Sequence, residues 1–317
     1  MSLHFCVYRW TAPNAGDVVL FEGLKALFPP ETCWTEIDIW TRLPDAMALI
    51  NASDGLILGG GTILGNLKTF VLDPNFVRQL QVPVCLMGTG IRDQGRAFID
   101  EELREPLADL LAICAPAGVR GQLSVDFLQA SGLGTRNVSV IGDTALALQW
   151  PSQPTRGIGV NIRPRPEGGQ ETTIEMMQQV LRTDALADFG PVEFFSCHDK
   201  WDLAPAAELG VPIVPYDGAE AFLTRLAGYD LVISERLHGA VLAHALGRPA
   251  VQLSYERKCH DYMNAMDCGD LCLDTRDPAA LIAACTRAQN SARRFGPPLA
   301  RYRTALQVAA NAFLNRL

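Results

Sequence analysis

Ile233-Ser234-Glu235-Arg236-Leu237-His238-Gly239-Ala240 sends an apolar strand directly into a helix of small residues. Ser234, Arg236 and His238 then gather at one strand end beside a helix N-terminus, whose free amides and dipole favour an anion. An isolated histidine is most often structural, but one at such a junction, two residues after an arginine, is a candidate acid or base. Beyond the next strand, Pro249–Leu253, follows Tyr255-Glu256-Arg257-Lys258. The cations of this chain are 23 Arg and four Lys. A lysine at a strand end in an arginine-dominated sequence therefore points to a need for a compact ammonium.

The first half holds loops of the same kind. Trp10-Thr11-Ala12-Pro13-Asn14-Ala15-Gly16-Asp17 leaves the first strand and enters a helix. Asp17 is placed to cap that helix, and Asn14 and Asp17 could present side chains to sugar hydroxyls. Gly59-Gly60-Gly61-Thr62 follows another strand, where bare backbone at Gly60 and Gly61 could approach a ligand and offer amides to an anion. It lacks the G-x-G-x-x-G spacing of dinucleotide sites. Gly88-Thr89-Gly90-Ile91-Arg92 repeats the pattern one strand later. Arg120 closes a further strand just before a helix containing Ser124, and can hold a carboxylate or phosphate through two parallel hydrogen bonds. Asp143, in Ile141-Gly142-Asp143-Thr144, could orient a hydroxyl or act structurally.

These loops need strands and helices to position them. Short apolar runs alternate with helix-length segments throughout, the pattern of mainly parallel sheets flanked by helices. Strands are expected at Leu3–Tyr8, Leu56–Leu58, Val82–Met87, Ala117–Val119 and Val138–Ile141, then at Gly157–Ile162, Val192–Ser196, Ile213–Val214, Asp230–Ile233 and Pro249–Leu253. Periodicity stops at Gln149–Arg156, where two prolines arrive within four residues. The fold class is α/β, with two Rossmann-like domains facing a cleft, residues 1–150 and 151–317. Ligands of such sheets lie beyond the carboxyl ends of the strands, where these loops are.

Composition narrows the partners. A formal charge of −8 argues against nucleic acid, whose binding requires a cationic footprint. The longest apolar stretch, Leu107–Val119, is broken by Asp109 and Pro116, and no cationic and apolar leader opens the chain, so a cytoplasmic protein is expected. Cys6, Cys85, Cys114 and Cys197 fall in apolar runs and read as reduced core residues. Cys259, His260, Cys268 and Cys272 match no closed zinc spacing, so no metal is expected. After Asp277 there is no acid, while six arginines remain. That tail could contact anionic headgroups or pack against the acidic first half, which carries 16 acids and 10 bases.

Taken together, Ser234-x-Arg236-Leu237-His238-Gly239, Pro249, Tyr255-x-x-Lys258, Asn14-x-Gly16-Asp17, Gly59-Gly60-Gly61, Arg120-x-x-x-Ser124 and Gly142-Asp143 resemble the polysaccharide pyruvyl transferase family. The resemblance runs from about residue 14 to 265. It implies a glycosyltransferase-B-like pair of domains that moves the pyruvyl group of phosphoenolpyruvate onto a saccharide diol as a cyclic ketal, during the biosynthesis of an exopolysaccharide or cell-surface polysaccharide. No cofactor is implied beyond phosphoenolpyruvate as co-substrate. The acceptor could be lipid-linked, which would place the protein peripherally at the inner membrane face. On this reading His238, Asp17 and Asp143 are catalytic candidates. Arg120, Ser234, Arg236 and Lys258 bind the donor on the C-terminal side, and Asn14, Gly60 and Gly61 bind the acceptor on the N-terminal side. Two rivals stand beside it: a nucleotide-sugar glycosyltransferase, disfavoured by the lack of an obvious base-stacking aromatic at these loops, and a non-catalytic carbohydrate-binding protein.

Overall fold

The computed structural model describes residues 2–11, 14–63, 70–90, 99–164 and 170–317. The chain divides into two compact units: unit 1 is Met1–Ala12, Leu20–Ala147 and Tyr302–Leu317, and unit 2 is Pro13–Val19 and Leu148–Arg301. The main crossing, between Ala147 and Leu148, lies just before the proline-containing stretch Gln149–Arg156. Each unit also takes in a segment from the far side of that crossing, residues 302–317 for unit 1 and residues 13–19 for unit 2.

In unit 1 the strands β1 (His4–Arg9), β2 (Cys33–Asp38), β3 (Gly55–Gly59), β4 (Val84–Thr89), β5 (Ala117–Val119) and β6 (Val138–Val140) pair in the order β2-β1-β3-β4-β5-β6, all parallel. They alternate with α1 (Ala15–Lys25), α2 (Leu43–Asn51), α3 (Phe76–Gln79), α4 (Glu101–Ile113) and α5 (Gln122–Ala130). The central strands read as unbroken apolar runs because helices cover both faces; β3 and β4 are buried at every position. The edge strand β2, Cys-Trp-Thr-Glu-Ile-Asp, is mostly half-exposed, so its polar sequence hid it from a search for apolar runs.

Unit 2 repeats the design with β7 (Ile158–Asn161), β8 (Val192–Phe195), β9 (Ile213–Val214), β10 (Leu231–Ser234), β11 (Ala250–Leu253) and β12 (Cys272–Leu273). Their order is β12-β11-β10-β7-β8-β9, again all parallel. Its helices are α6 (Gln170–Leu181), α7 (Asp199–Leu209), α8 (Ala219–Ala227), α9 (Leu237–Ala245), α10 (Arg257–Ala265), α11 (Pro278–Ala288) and the first part of α12 (Ala292–Leu314). The order of strands reverses between β7 and β10 in unit 2 and between β1 and β3 in unit 1. Such switch points open a crevice at the carboxyl ends of the strands, which is where open α/β sheets bind ligands. The loops singled out in the sequence leave these strands.

The C-terminal part of α12 joins unit 1 through Phe313, fully buried with its ring centroid 5.5 Å from that of Phe5. The basic tail is partly neutralised inside the fold. Arg287 and Arg294 both pair with Asp270, and Arg303 Nε donates to the Leu146 carbonyl at 2.9 Å. Cys6, Cys85, Cys114 and Cys197 are buried as expected, and burial pushes the Cys114 and Cys197 thiols up to about 12.

His244, on the almost wholly buried α9, stacks against Phe295 with ring centroids 4.4 Å apart and places Nδ1 3.0 Å from the Tyr262 hydroxyl. Burial holds its imidazole down at about 3. The unfolded chain therefore takes up a proton below about pH 6.5 that the folded chain refuses, and stability falls as pH falls through that window by about 1.4 kcal/mol per unit. His244→Phe is expected to remove this term, so that wild type loses about 2 kcal/mol more than the variant between pH 7 and pH 5 in denaturant titrations. Identical losses would show that the buried imidazole is not held neutral.

Candidate functional site

At the switch point of unit 2, three strand ends contribute polar groups to one cluster centred on Asp202, a fully buried residue in the first turn of α7. Its Oδ2 accepts the backbone amides of Cys197 (2.7 Å) and His198 (3.0 Å) and the Asn161 amide at 3.3 Å. Its Oδ1 accepts Arg236 Nη2 at 2.6 Å. Arg236 is thus fixed by a buried ion pair, a kind whose rupture by removing one partner costs about 3–5 kcal/mol. Burial opposes the guanidinium charge, but Cys197 and Asp202 more than offset it, and the Arg236 pKa is raised.

Ser234, also fully buried, donates its hydroxyl to the Arg236 carbonyl at 2.8 Å. It shapes the turn into α9 and keeps only acceptor capacity for a ligand. His238 follows in the first turn of α9, half-buried. Against it lies the start of α1: a Cβ built on Gly16 would fall 2.0 Å from His238 Nδ1, so only glycine allows that helix to approach the ring so closely. The Ala15 amide donates to the Cys197 carbonyl at 2.8 Å, which ties the start of α1 to the end of β8. Asn14 rather than Asp17 caps the helix, its Oδ1 accepting the Gly16 amide at 2.9 Å. Asp17 falls inside the first turn, close enough to raise the Cys197 thiol pKa. The correction arises because the helix begins at Ala15, two residues before Asp17. Ala12 and Pro13 of this loop lie outside the described residues.

Lys258 lies in the first turn of α10, its Nζ 2.7 Å from Glu256 and 4.9 Å from the centroid of the Tyr255 ring. Arg163, beyond the end of β7, sits over the same ring at 4.8 Å, and Tyr255 also acts electrostatically on Arg236. Beneath them Glu235, fully buried, accepts the Arg163 amide (2.9 Å), the Thr173 hydroxyl (2.8 Å) and Arg276 Nη2 (3.1 Å). Five buried side-chain atoms at this sheet edge have no hydrogen-bond partner among the described residues: Asn161 Oδ1, Ser196 Oγ, His198 Nδ1, Arg236 Nε and Gln252 Oε1. Buried polar atoms are normally satisfied, so this concentration marks a place completed by water or ligand.

The sequence reading missed Asn161, Arg163, Asp202, Glu235 and Arg276. Arg163 carried a usable signal, since it follows an apolar strand just as Arg120 does. It also missed a stacking aromatic: Trp201, 57% exposed, lies parallel to His198 with ring centroids 4.1 Å apart. The absence of such a ring therefore no longer counts against a nucleotide ligand.

In unit 1, Gly60 and Gly61 occupy left-handed conformations (φ 57° and 68°) at the end of β3. The Gly60 amide donates to the Met87 carbonyl at 3.1 Å, and the Gly61 carbonyl accepts the Gly90 amide at 2.7 Å. The Gly60 amide is therefore committed to the fold rather than offered to an anion. Ile91 and Arg92, in the next loop, are outside the described residues. Arg120 packs where Gly90 leaves room, a Cβ there reaching within 2.9 Å of the guanidinium. Its Nη1 is 3.9 Å from Oδ2 of the fully buried Asp143. That oxygen and the Thr89 hydroxyl have no hydrogen-bond partner among the described residues. Burial raises the Asp143 carboxyl to about 6, with Arg120 and the Ala145 amide pulling the other way.

Two parallel six-stranded sheets with these switch points make the chain glycosyltransferase-B-like. It is similar in structure to a putative UDP-N-acetylglucosamine 2-epimerase from Listeria monocytogenes (TM-score 0.60, 16% identity, covering 95% of this chain and 94% of that one). It is similar also to UDP-N-acetylglucosamine 2-epimerase from Rickettsia bellii (0.60, 12%, 99% and 97%). The UDP-GlcNAc 2-epimerase from Neisseria meningitidis, bound to UDP-GlcNAc, gives 0.59, 11%, 98% and 99%. At these identities the likeness concerns the fold alone. No curated protein matches the chain in sequence. The model of the polysaccharide pyruvyl transferase family matches residues 14–257, most of the chain, and the chain belongs to that family.

Asp143 provides a test of the unit 1 cluster. A carboxyl raised from 3.8 to about 6 binds a proton more readily folded than unfolded, so it lowers stability as pH rises through that window, by about 2–3 kcal/mol at neutral pH. Asp143→Asn is expected to gain relative to wild type on going from pH 4 to pH 7 in denaturant titrations. No relative gain would place the carboxylate in a more polar setting than its burial implies.

Proposed function

We propose that this protein transfers the pyruvyl group of phosphoenolpyruvate onto two hydroxyls of a saccharide, forming a cyclic ketal and releasing phosphate. The observation that supports this most is the unit 2 cluster. It combines a histidine at a strand-to-helix junction, a fixed guanidinium beside it, a lysine at the next helix start, and unpaired polar atoms around them. Phosphoenolpyruvate carries a carboxylate and a phosphate, which suit Arg236, Lys258 and the amides opening α9 and α10. Ser234 contributes an acceptor and the turn geometry. Arg120, in unit 1, is the further donor-binding candidate.

The chemistry balances without a redox step. A proton added to the methylene carbon of the enol makes C2 electrophilic, and one saccharide oxygen attacks it. The C2–O bond to phosphate breaks, and the second oxygen closes the ketal. Of the two hydroxyl protons, one equals that gained by the new methyl group and the other leaves with the phosphate. Imidazole, titrating near neutrality, suits a proton transfer of this kind, worth about 10²–10⁴-fold in rate, and His238 is assigned to it. Asp17 and Asp143 are the candidates for taking a hydroxyl proton, and Asn14, Gly60 and Gly61 for holding the acceptor. The reaction calls for no cofactor.

The acceptor is assigned to the assembly of an exopolysaccharide or other surface polysaccharide, in the cytoplasm where phosphoenolpyruvate is made. Among the described residues no helix is long and apolar enough to cross a membrane. At least three of the six tail arginines are engaged within the fold, which leaves less of that charge for anionic headgroups.

Phosphoenolpyruvate is expected to raise the melting temperature of the wild-type protein, and Lys258→Ala to abolish the rise, because a ligand selective for the native state stabilises it. A rise with UDP- or GDP-sugars and none with phosphoenolpyruvate would make this a nucleotide-sugar glycosyltransferase, with Trp201 a candidate ring for the base. His238→Ala is expected to keep the phosphoenolpyruvate shift while losing at least about 100-fold in phosphate release with acceptor present. Full turnover in the folded variant would remove His238 from the mechanism.

A further inference from the structure

We propose that Trp10 and Trp40 form a saccharide platform at the carboxyl edge of the unit 1 sheet, on which a pyranose ring of the acceptor stacks. Trp10 is the first residue after β1, at the switch point with β3, and Trp40 lies two residues beyond the end of the neighbouring β2. The two indoles meet nearly edge to face, with centroids 5.9 Å apart and planes at 72°. Trp10 is half-buried and packs against the unit 1 core, whereas Trp40 is 66% exposed. An indole left largely wet forgoes most of the gain a folded chain makes by burying one.

The pair is held in place. Asp38, the last residue of β2, accepts the Trp40 amide on Oδ1 at 2.9 Å, and accepts the Thr11 amide at 3.0 Å and the Thr11 hydroxyl on Oδ2. One carboxylate thus clamps together the turns leaving β1 and β2, fixing both tryptophans at small entropic cost on binding. Its pKa is lowered: burial works against the charge, but the Thr11 hydroxyl, the two amides and Arg9 outweigh it. The clamp therefore persists at all ordinary pH.

The surroundings suit a sugar better than a protein. Arg42 and Asp45, an exposed ion pair 2.9 Å apart, lie two and five residues beyond Trp40 and offer donors and acceptors to hydroxyls. A pyranose has an apolar C–H face and a polar rim, which match an indole face with a charged flank. One exposed indole is far smaller than the roughly 800 Å² per partner of a stable protein interface. This inference rests on the acceptor being a saccharide, as proposed above, and does not depend on the pyruvyl donor.

The test is intrinsic tryptophan fluorescence of the whole chain during titration with cello-, malto- and galacto-tetraose, with UMP and GMP as controls. At least one tetrasaccharide is expected to give a saturable blue shift as the wet indole is covered. Trp40→Ala is expected to weaken that binding about tenfold or more, which is about 1.4 kcal/mol, and Trp40→Phe to restore part of it. The melting temperature and its phosphoenolpyruvate shift should not change. Undiminished affinity in Trp40→Ala, a shift with the nucleotides in place of the sugars, or silence from every tetrasaccharide would overturn the platform. Saccharide binding lost in Trp40→Ala, in a protein that ignores phosphoenolpyruvate, would uphold the platform and reject the pyruvyl reading.

Discussion

Asp202 is buried beyond the reach of solvent, yet it carries a charge, and the edge of the second sheet is arranged so that this charge is never alone. Two backbone amides, one side-chain amide and one guanidinium converge on its two oxygens. The amides come from the turn after β8, the Asn161 group from the end of β7, and the guanidinium from the end of β10. A single carboxylate therefore fixes three strand ends relative to one another. Arg236 gains a set direction from it, because one side of its planar fork is committed to Asp202 while Nε stays unpaired. Geometry of that kind suits recognition, since a cation already immobilised loses little entropy when an anion arrives.

The same logic separates structural polar groups from available ones. Glu235 is as deeply buried as Asp202, and its carboxylate is saturated by Arg276, Thr173 and the Arg163 amide, so it braces β7, β10 and α6. Ser234 has given its proton to the turn, and Gly60 its amide to β4. What remains unspent at the strand ends of unit 2 is a short set, Asn161 Oδ1, Ser196 Oγ, His198 Nδ1, Arg236 Nε and Gln252 Oε1. Buried polar atoms are normally paired, so these five in one place mark positions that water or a ligand completes rather than scaffold.

The sequence made the sheets legible where strands are central and apolar: β1, β3, β4, β5, β7, β8, β10 and β11 stand within two residues of where hydrophobic runs put them. It concealed β2, a mostly half-exposed edge strand that need not be apolar, and β12, apolar but only two residues long, whereas the edge strands β6 and β9 lie where they were expected. Helix α7, with Pro205 in its interior, and helix α10 were not legible either. In α10 the buried residues Cys259, Tyr262 and Met263 do fall at helical spacing, but they make a single turn of apolar face in an otherwise polar segment. Of the site, the residues adjacent in sequence were readable, since Ser234, Arg236 and His238 share one junction. The partners that fix them were not, because Asp202 is 34 residues from Arg236 and nothing local marks it. Residues 13–19 show the same limit from the other side: they read as part of the first domain, yet the close approach of Gly16 to His238 makes them part of the second unit.

Charge at the helix starts carries the argument a step further. A helix N-terminus favours a nearby carboxylate by about 0.3–1 kcal/mol, and much of this chain follows that rule. Asp17 opens α1, Asp45 α2, Glu101 and Glu102 α4, Glu171 α6 and Glu220 α8, while Asp277 caps α11 through two amides. Helices α3, α5, α9, α10 and α12 have no acid in the first turn, although Glu256 stands at the N-cap of α10. Of these, α9 follows directly on Arg236 at its N-cap and α5 begins two residues after Arg120, with no acid at either N-cap, so at these two a cation stands against the dipole. Local helix stability disfavours that arrangement at both. Each of these termini sets amides, dipole and a side-chain cation together, a combination that a bound anion, such as the donor proposed above, would complete.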